Sequence, residues 1–148
     1  MPSASIKKEI YCSKDKLISM VLDIEKYPEF VPWCIEGKIF DRNESNHLIT
    51  FKGDLKVGKN FLNETFSSLV TYDKKNDKIL VKNLDGPLKN LKNEWKFKET
   101  NNSTQLDFFI DFELKNPILN KIMKKSFEIG LNKIADAFQA RANTLYNN

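Results

Sequence analysis

Leu106-Asp107-Phe108-Phe109-Ile110-Asp111-Phe112-Glu113-Leu114, followed by two polar residues and Pro117, is the stretch on which the fold turns. Leu106, Phe108, Ile110, Phe112 and Leu114 alternate with Asp107, Phe109, Asp111 and Glu113, all but one of them acidic, the period-two pattern of an antiparallel strand with one wet face. Beyond Pro117 the period changes. Leu119, Ile122, Met123, Phe127, Leu131, Ile134, Phe138 and Leu145 recur at three- and four-residue steps, which predicts one long helix over roughly residues 118–145. Lys121, Lys125, Glu128, Asn132, Asp136 and Gln139 fall on its opposite side, and Ser126, Gly130 and Arg141 intrude on the apolar stripe.

Upstream of residue 106 the period-two pattern continues back to Ile35. Candidate strands cover 35–42, 47–57, 60–72, 78–84, 90–99 and 104–114, separated by turn signals such as Asp85-Gly86-Pro87. The short separations imply an antiparallel meander, not parallel crossovers. Before it, residues 4–11 make a first strand through Ile6 and Ile10. Ser13 is placed to cap a helix carrying Leu17, Ile18, Val21 and Leu22, which stops near Asp23–Ile24 because Pro28 and Pro32 follow. The segment between Tyr27 and Cys34 is too rich in proline for a long regular element. The expectation is an α+β domain over residues 1–148, in which a curved antiparallel sheet of about seven strands wraps around the C-terminal helix. One helix cannot cover so wide a sheet, so an internal apolar cavity is expected between them. Gly130 costs up to about 1 kcal/mol inside a helix, which argues that something approaches it closely.

The chain has 148 residues, 41% hydrophobic and 11% aromatic, and can bury a core without staples. Its formal charge of +4 is uneven: residues 1–114 hold 18 Lys/Arg against 18 Asp/Glu, so the whole excess lies in residues 115–148. With 22 Lys, two Arg and 16 Asn, single Lys and Asn residues carry reduced weight. No apolar run reaches the 18 or so residues of a membrane span, and the N-terminus lacks a secretory h-region. Two cysteines (Cys12, Cys34) suit a reducing compartment, and one histidine (His47) leaves no expectation of a metal site. Phosphate-loop, nucleophile-elbow and zinc-protease motifs are missing, so neither a cofactor nor a catalytic residue is expected.

Tyr27-Pro28-Glu29-Phe30-Val31-Pro32-Trp33-Cys34 resembles the Y-P-x-F-x-P-W-C signature of the coenzyme-Q-binding and ribosome-association-toxin branch of the START-like (polyketide cyclase/lipid-transport) superfamily. Gly86-Pro87-Leu88-Lys89-Asn90-Leu91-Lys92-Asn93-Glu94-Trp95-Lys96-Phe97 is similar to a second stretch of that branch, and Ala137-Phe138-Gln139-Ala140-Arg141-Ala142 to a third near its C-terminus. The resemblance covers essentially the whole chain in order. It departs at Asn93, where members often carry Gly, and at Thr65–Val70, where an Arg or Asn is common. It implies a helix-grip fold around a hydrophobic cavity. The function implied is non-enzymatic binding of a polyprenyl quinone, foremost ubiquinone as bound ligand, in support of respiration. Some bacterial members are toxins that bind the large ribosomal subunit and block subunit association, and related proteins are polyketide aromatases/cyclases; both remain open as alternatives.

On this reading Tyr27, Pro28, Phe30, Val31, Pro32 and Trp33 form the mouth of the cavity. Its walls would include Phe51, Phe66, Trp95, Phe97, Phe127, Gly130 and Ile134. Asn83 and Asn93 are candidates to hydrogen-bond a quinone carbonyl. Arg141 would either cap the helix, pair with a carboxylate such as Glu64, or meet a polar headgroup. Lys121, Lys124 and Lys125 would touch anionic lipid or phosphate. The expected setting is cytoplasmic and peripheral to the inner membrane, with no DNA partner.

Overall fold

Ser13 accepts a hydrogen bond from the Lys16 amide, and the helix it caps buries Leu17, Ile18, Met20 and Val21 against Ile10. The computed structural model describes residues 3–59 and 62–146. In chain order these form β1 (Ser3–Ile10), α1 (Lys14–Leu22), a 3-10 helix (Ile24–Glu29), β2 (Cys34–Glu44), β3 (Leu48–Lys59), β4 (Leu62–Asp73), β5 (Lys78–Asp85), β6 (Leu88–Glu99), β7 (Thr104–Leu114) and α2 (Pro117–Tyr146). One curved antiparallel sheet has the order β1-β7-β6-β5-β4-β3-β2: a six-stranded meander whose last strand pairs with the first strand of the chain. Register carries one inner row across it, with Ile6 opposite Phe108, Phe108 opposite Trp95, Trp95 opposite Ile79, Ile79 opposite Tyr72 and Tyr72 opposite Ile49.

The 30-residue α2 is about 45 Å long at 1.5 Å per residue. It starts where Asn116 Oδ1 accepts from the amides of Ile118 (2.9 Å) and Leu119 (3.2 Å), with Pro117 occupying the first position, where a missing N–H costs nothing. Asn120 Oδ1 accepts from Leu114 N, tying the helix to the end of β7. Phe138 (2% exposed), Ala142 and Leu131 are buried on its inner side.

The proline-rich segment holds no long regular element: it opens on the short 3-10 helix Ile24–Glu29, which contains Pro28 and tolerates the fixed proline φ. One sequence expectation changes. Ile122 does not belong to the inward stripe, since it is 45% exposed. At 100° per residue it lies about 130° from the inward direction shared by Phe127 and Ile134.

Candidate functional site

Between α2 and the concave face, the apolar side chains divide into two clusters. The first gathers Tyr27, Val31, Phe51, Val70, Ile79, Phe97 and Phe138, with Phe30, Trp95 and Ile134 packed against it. Its aromatic centre is geometrically specific. Phe138 of α2 meets Tyr27 at 5.6 Å, Phe30 at 5.2 Å and Trp95 at 5.8 Å, all edge to face. The Tyr27 hydroxyl donates to the Val21 carbonyl in a fully buried position, and burial drives its phenol pKa far above the ordinary value. Tyr27 therefore anchors this segment to α1.

Around that centre the Tyr27–Cys34 segment clasps α2. Arg141 Nη2 lies 2.8 Å from Glu29 Oε1, and its guanidinium stacks over the Phe30 ring at 4.9 Å. The hydrogen bond from Arg141, reinforced by the charge of Lys26, holds the Glu29 carboxyl below its usual value. The acid that meets Arg141 is thus Glu29 and not Glu64, because the 3-10 helix brings Glu29 to the end of α2. Trp33 sits at φ 68, in the left-handed region that bulky side chains rarely adopt. A Cβ at Gly130 would come within 3.2 Å of its indole, so the glycine is where Trp33 crosses the helix. Cys34 is a half-buried thiol whose pKa burial raises to about 11, leaving it protonated at neutral pH.

The second cluster lies at the other end of α2. Leu88, Phe112 and Leu114 are buried there, but Phe66, Leu91, Ile110, Leu119, Met123 and Phe127 are only partly so. Phe112 and Phe127 meet at 4.8 Å. Next to it the sheet parts. The β5–β6 ladder covers Lys78–Val81 against Lys96–Asn93, whereas β5 stays paired with β4 out to Asp85 and β6 stays paired with β7 down to Leu88. Across this opening Asn83 Nδ2 donates to the Leu88 carbonyl at 3.0 Å, while Asn83 Oδ1 is buried with no hydrogen-bond partner among the described residues. Asn93, 8% exposed, is engaged on both sides: it donates to the Phe109 carbonyl (2.9 Å) and accepts from Trp95 Nε1 (3.0 Å).

The expected mouth and wall residues are therefore spread over two places. Tyr27, Val31, Phe51 and Phe97 are buried in the first cluster, with Phe30, Trp95 and Ile134 beside them; Phe66 and Phe127 belong to the second. Pro28 is exposed and Pro32 half-buried on the clasp, while Lys121 and Lys124 are exposed. The Lys125 side chain lies outside the described residues. Sequence reasoning did not single out Leu88, Leu91, Leu119, Met123 and Phe112 as site residues, although the strand and helix periods put all but Leu88 on an inward face; Leu88 lies beyond the register shift between Leu88 and Asn90. Two clefts, of about 420 Å³ around Asn76–Lys78 and Lys96–Lys98 and about 480 Å³ beside α1, lie outside the sheet–helix interior, and of the expected lining residues only Phe97 borders either. The buried polar residues among those described are Asn93, Ser103 and Thr104, none of them an acid or a base near pH 7.

Residues 15–139 match the family described as polyketide cyclase/dehydrase and lipid transport. The chain is 32% identical over 130 residues to the ribosome association toxin RatA of Rickettsia prowazekii, covering 86% of each protein. It is 31% identical over 143 residues to the mitochondrial coenzyme Q-binding protein COQ10 of Dictyostelium discoideum, covering 94% of this chain and 68% of that one. An 18 kDa protein from Caulobacter crescentus, solved in solution, superposes with a TM-score of 0.82 at 30% identity over 100% of both chains.

Proposed function

Because the chain belongs to the polyketide cyclase/dehydrase and lipid-transport family, we propose that it is a non-catalytic binder of a hydrophobic ligand, foremost a polyprenyl quinone such as ubiquinone, held between the concave sheet and the N-terminal half of α2. The observation that carries this reading is the second cluster: a group of half-buried apolar side chains beside an opening in the sheet and an unpartnered amide oxygen. Half-buried Phe66, Leu91, Leu119, Met123 and Phe127 have apolar area still to lose, worth about 25 cal/mol per Å² when a prenyl tail covers it. The name of the coenzyme Q-binding relative supports the ligand class.

Asn83 sharpens which form of the ring fits. Its Nδ2 already serves Leu88, and the atom left over is an acceptor. An acceptor pairs with a hydroxyl, so the reduced quinol suits this position better than the quinone carbonyl. Organic extraction of the purified protein followed by mass spectrometry, with thermal shift against ubiquinone and ubiquinol, tests the reading. Co-purified quinone and a larger shift with ubiquinol are expected. No extracted quinone and no shift with either form would refute it.

Binding to the large ribosomal subunit is the second reading, supported by the name of the toxin relative and by the +4 charge carried in residues 115–148. Co-sedimentation with that subunit that weakens steeply between low and moderate salt would favour it. Aromatase/cyclase chemistry is the third. It needs a general acid or base in the interior, and the buried polar residues among those described supply none.

A further inference from the structure

We infer that the outward face of the first half of α2 is a docking ridge for an anionic bilayer surface. Ile118 and Ile129 are the two most exposed large apolar residues among those described, at 71% and 65%, and Ile122 is 45% exposed. At 100° per residue, Ile118, Ile122 and Ile129 fall within about 40° of one another, directly opposite Phe127 and Ile134. The three make a straight apolar ridge about 16 Å long on the solvent side of the helix. Beyond Ile129 the same line reaches Asp136, whose carboxylate is held by Lys8 of β1 at 2.9 Å, so the ridge ends where the helix returns to the sheet.

Charge selects the occupant. Lys121 flanks the ridge on one side and Lys133 on the other, with Lys124 further round; all three are exposed, and no ion pair engages them among the described residues. Glu128 is the single acid between Ile118 and Lys133. An apolar ridge between lysines matches a helix lying in the headgroup plane, with its isoleucines among the acyl chains and its lysines on anionic phosphates. A phosphate-bearing RNA would engage the lysines and leave three isoleucines in water, so the bilayer fits the whole surface and RNA only part of it. Location gives docking a use. Lys115 N donates to the Pro87 carbonyl at 2.8 Å, which places the start of α2 at the turn closing the parted β5–β6 end, next to exposed Leu84. A protein seated on this ridge holds the start of α2, and with it the turn at that end of the sheet, at the bilayer surface. Only the use of that placement rests on the proposed ligand-binding role; docking itself does not.

The test is co-sedimentation of ligand-free protein with phosphatidylcholine vesicles, with and without phosphatidylglycerol. Wild type should bind the anionic vesicles at least tenfold better than the neutral ones. The triple variant Ile118→Gln, Ile122→Gln, Ile129→Gln should lose at least tenfold on anionic vesicles while its circular dichroism and melting temperature stay unchanged. Lys121→Glu with Lys133→Glu should remove the preference for anionic lipid. Vesicle binding untouched by the isoleucine variant overturns the proposal. So does its conversion of a wild-type dimer to monomer with no loss of vesicle binding, which would assign the ridge to a second copy of the chain. Loss of ribosomal-subunit binding alone in the lysine variant would assign the surface to RNA. No added quinone enters the measurement, so its failure is separate from failure of the ligand assignment.

Discussion

Trp33 and Gly130 show how two residues 97 positions apart set each other's identity. The indole needs a helix position without a side chain, and the backbone of Trp33 is held at positive φ, with its carbonyl accepting from Gly58 N at 2.9 Å. Gly130→Ala brings two opposing effects: roughly 1 kcal/mol of gained helix propensity, and a Cβ 3.2 Å from the ring that forces a shift of a few tenths of an ångström. The two nearly cancel, and denaturant unfolding should find Gly130→Ala within about 1 kcal/mol of wild type. Gly130→Leu cannot be accommodated this way. It should displace Trp33, cost about 1–3 kcal/mol, and red-shift the tryptophan emission; an unchanged emission maximum would show that Trp33 does not lie against residue 130. Asn93 makes the polar counterpart. Asn93→Leu leaves the Trp95 indole N–H without its acceptor, and equilibrium unfolding should register a loss of about 1–3 kcal/mol. The signature residues Tyr27, Pro28 and Trp33 were legible in the sequence as a motif. Their division of labour was not, because the hydroxyl partner of Tyr27 and the ring contact of Trp33 depend on distant backbone.

At the scale of elements, α2 is fastened unequally. Its C-terminal half is gripped through Phe138, which meets Tyr27 of the 3-10 helix and Trp95 of β6, with Ala142 buried in the same cluster; its N-terminal half rests on half-buried side chains. Phe138→Ala should therefore cost about 3–5 kcal/mol, measurably more than Phe127→Ala, which removes a side chain that still borders solvent. Hydrogen exchange should follow the same gradient, with amides over residues 119–127 exchanging before those over 131–142. Uniform protection along α2 would contradict this division. The Arg141–Glu29 latch adds a pH dependence of known sign. The Glu29 pKa is lowered on folding, so the latch contributes fully above the unfolded carboxylate value of about 4.3 and is lost as pH falls through the lower folded value. A side-chain carboxyl titration by NMR should place the Glu29 midpoint below that of an ordinary glutamate, and Arg141→Gln should move it back up. The period-two and period-3.6 patterns located strands and helices to within a few residues, but they could not show the β5–β6 ladder stopping at Val81. That stop comes from the turn at Gly86, whose φ of 118 and close approach to the Thr65 carbonyl draw the hairpin end towards β4.

For the molecule as a whole, charge and apolar surface coincide on one side. Exposed Lys121, Lys124 and Lys133 flank exposed Ile118, Ile122 and Ile129 along the first half of α2, which starts where the sheet opens. No helix among the described residues is long and apolar enough to cross a membrane. By itself the sequence determined the order of elements, the antiparallel meander, the inward face of β7, most of the inward stripe of α2 and the family, because alternation and helical period are local properties that survive without knowledge of neighbours. The tertiary structure alone decided that Glu29 pairs with Arg141, and that Asn93 is spent on Trp95 and Phe109 while Asn83 Oδ1 finds no partner among the described residues. Each of those outcomes depends on which backbone passes within hydrogen-bond or van der Waals distance of a side chain, and curvature and register of the sheet set that, not the residues adjacent in the chain.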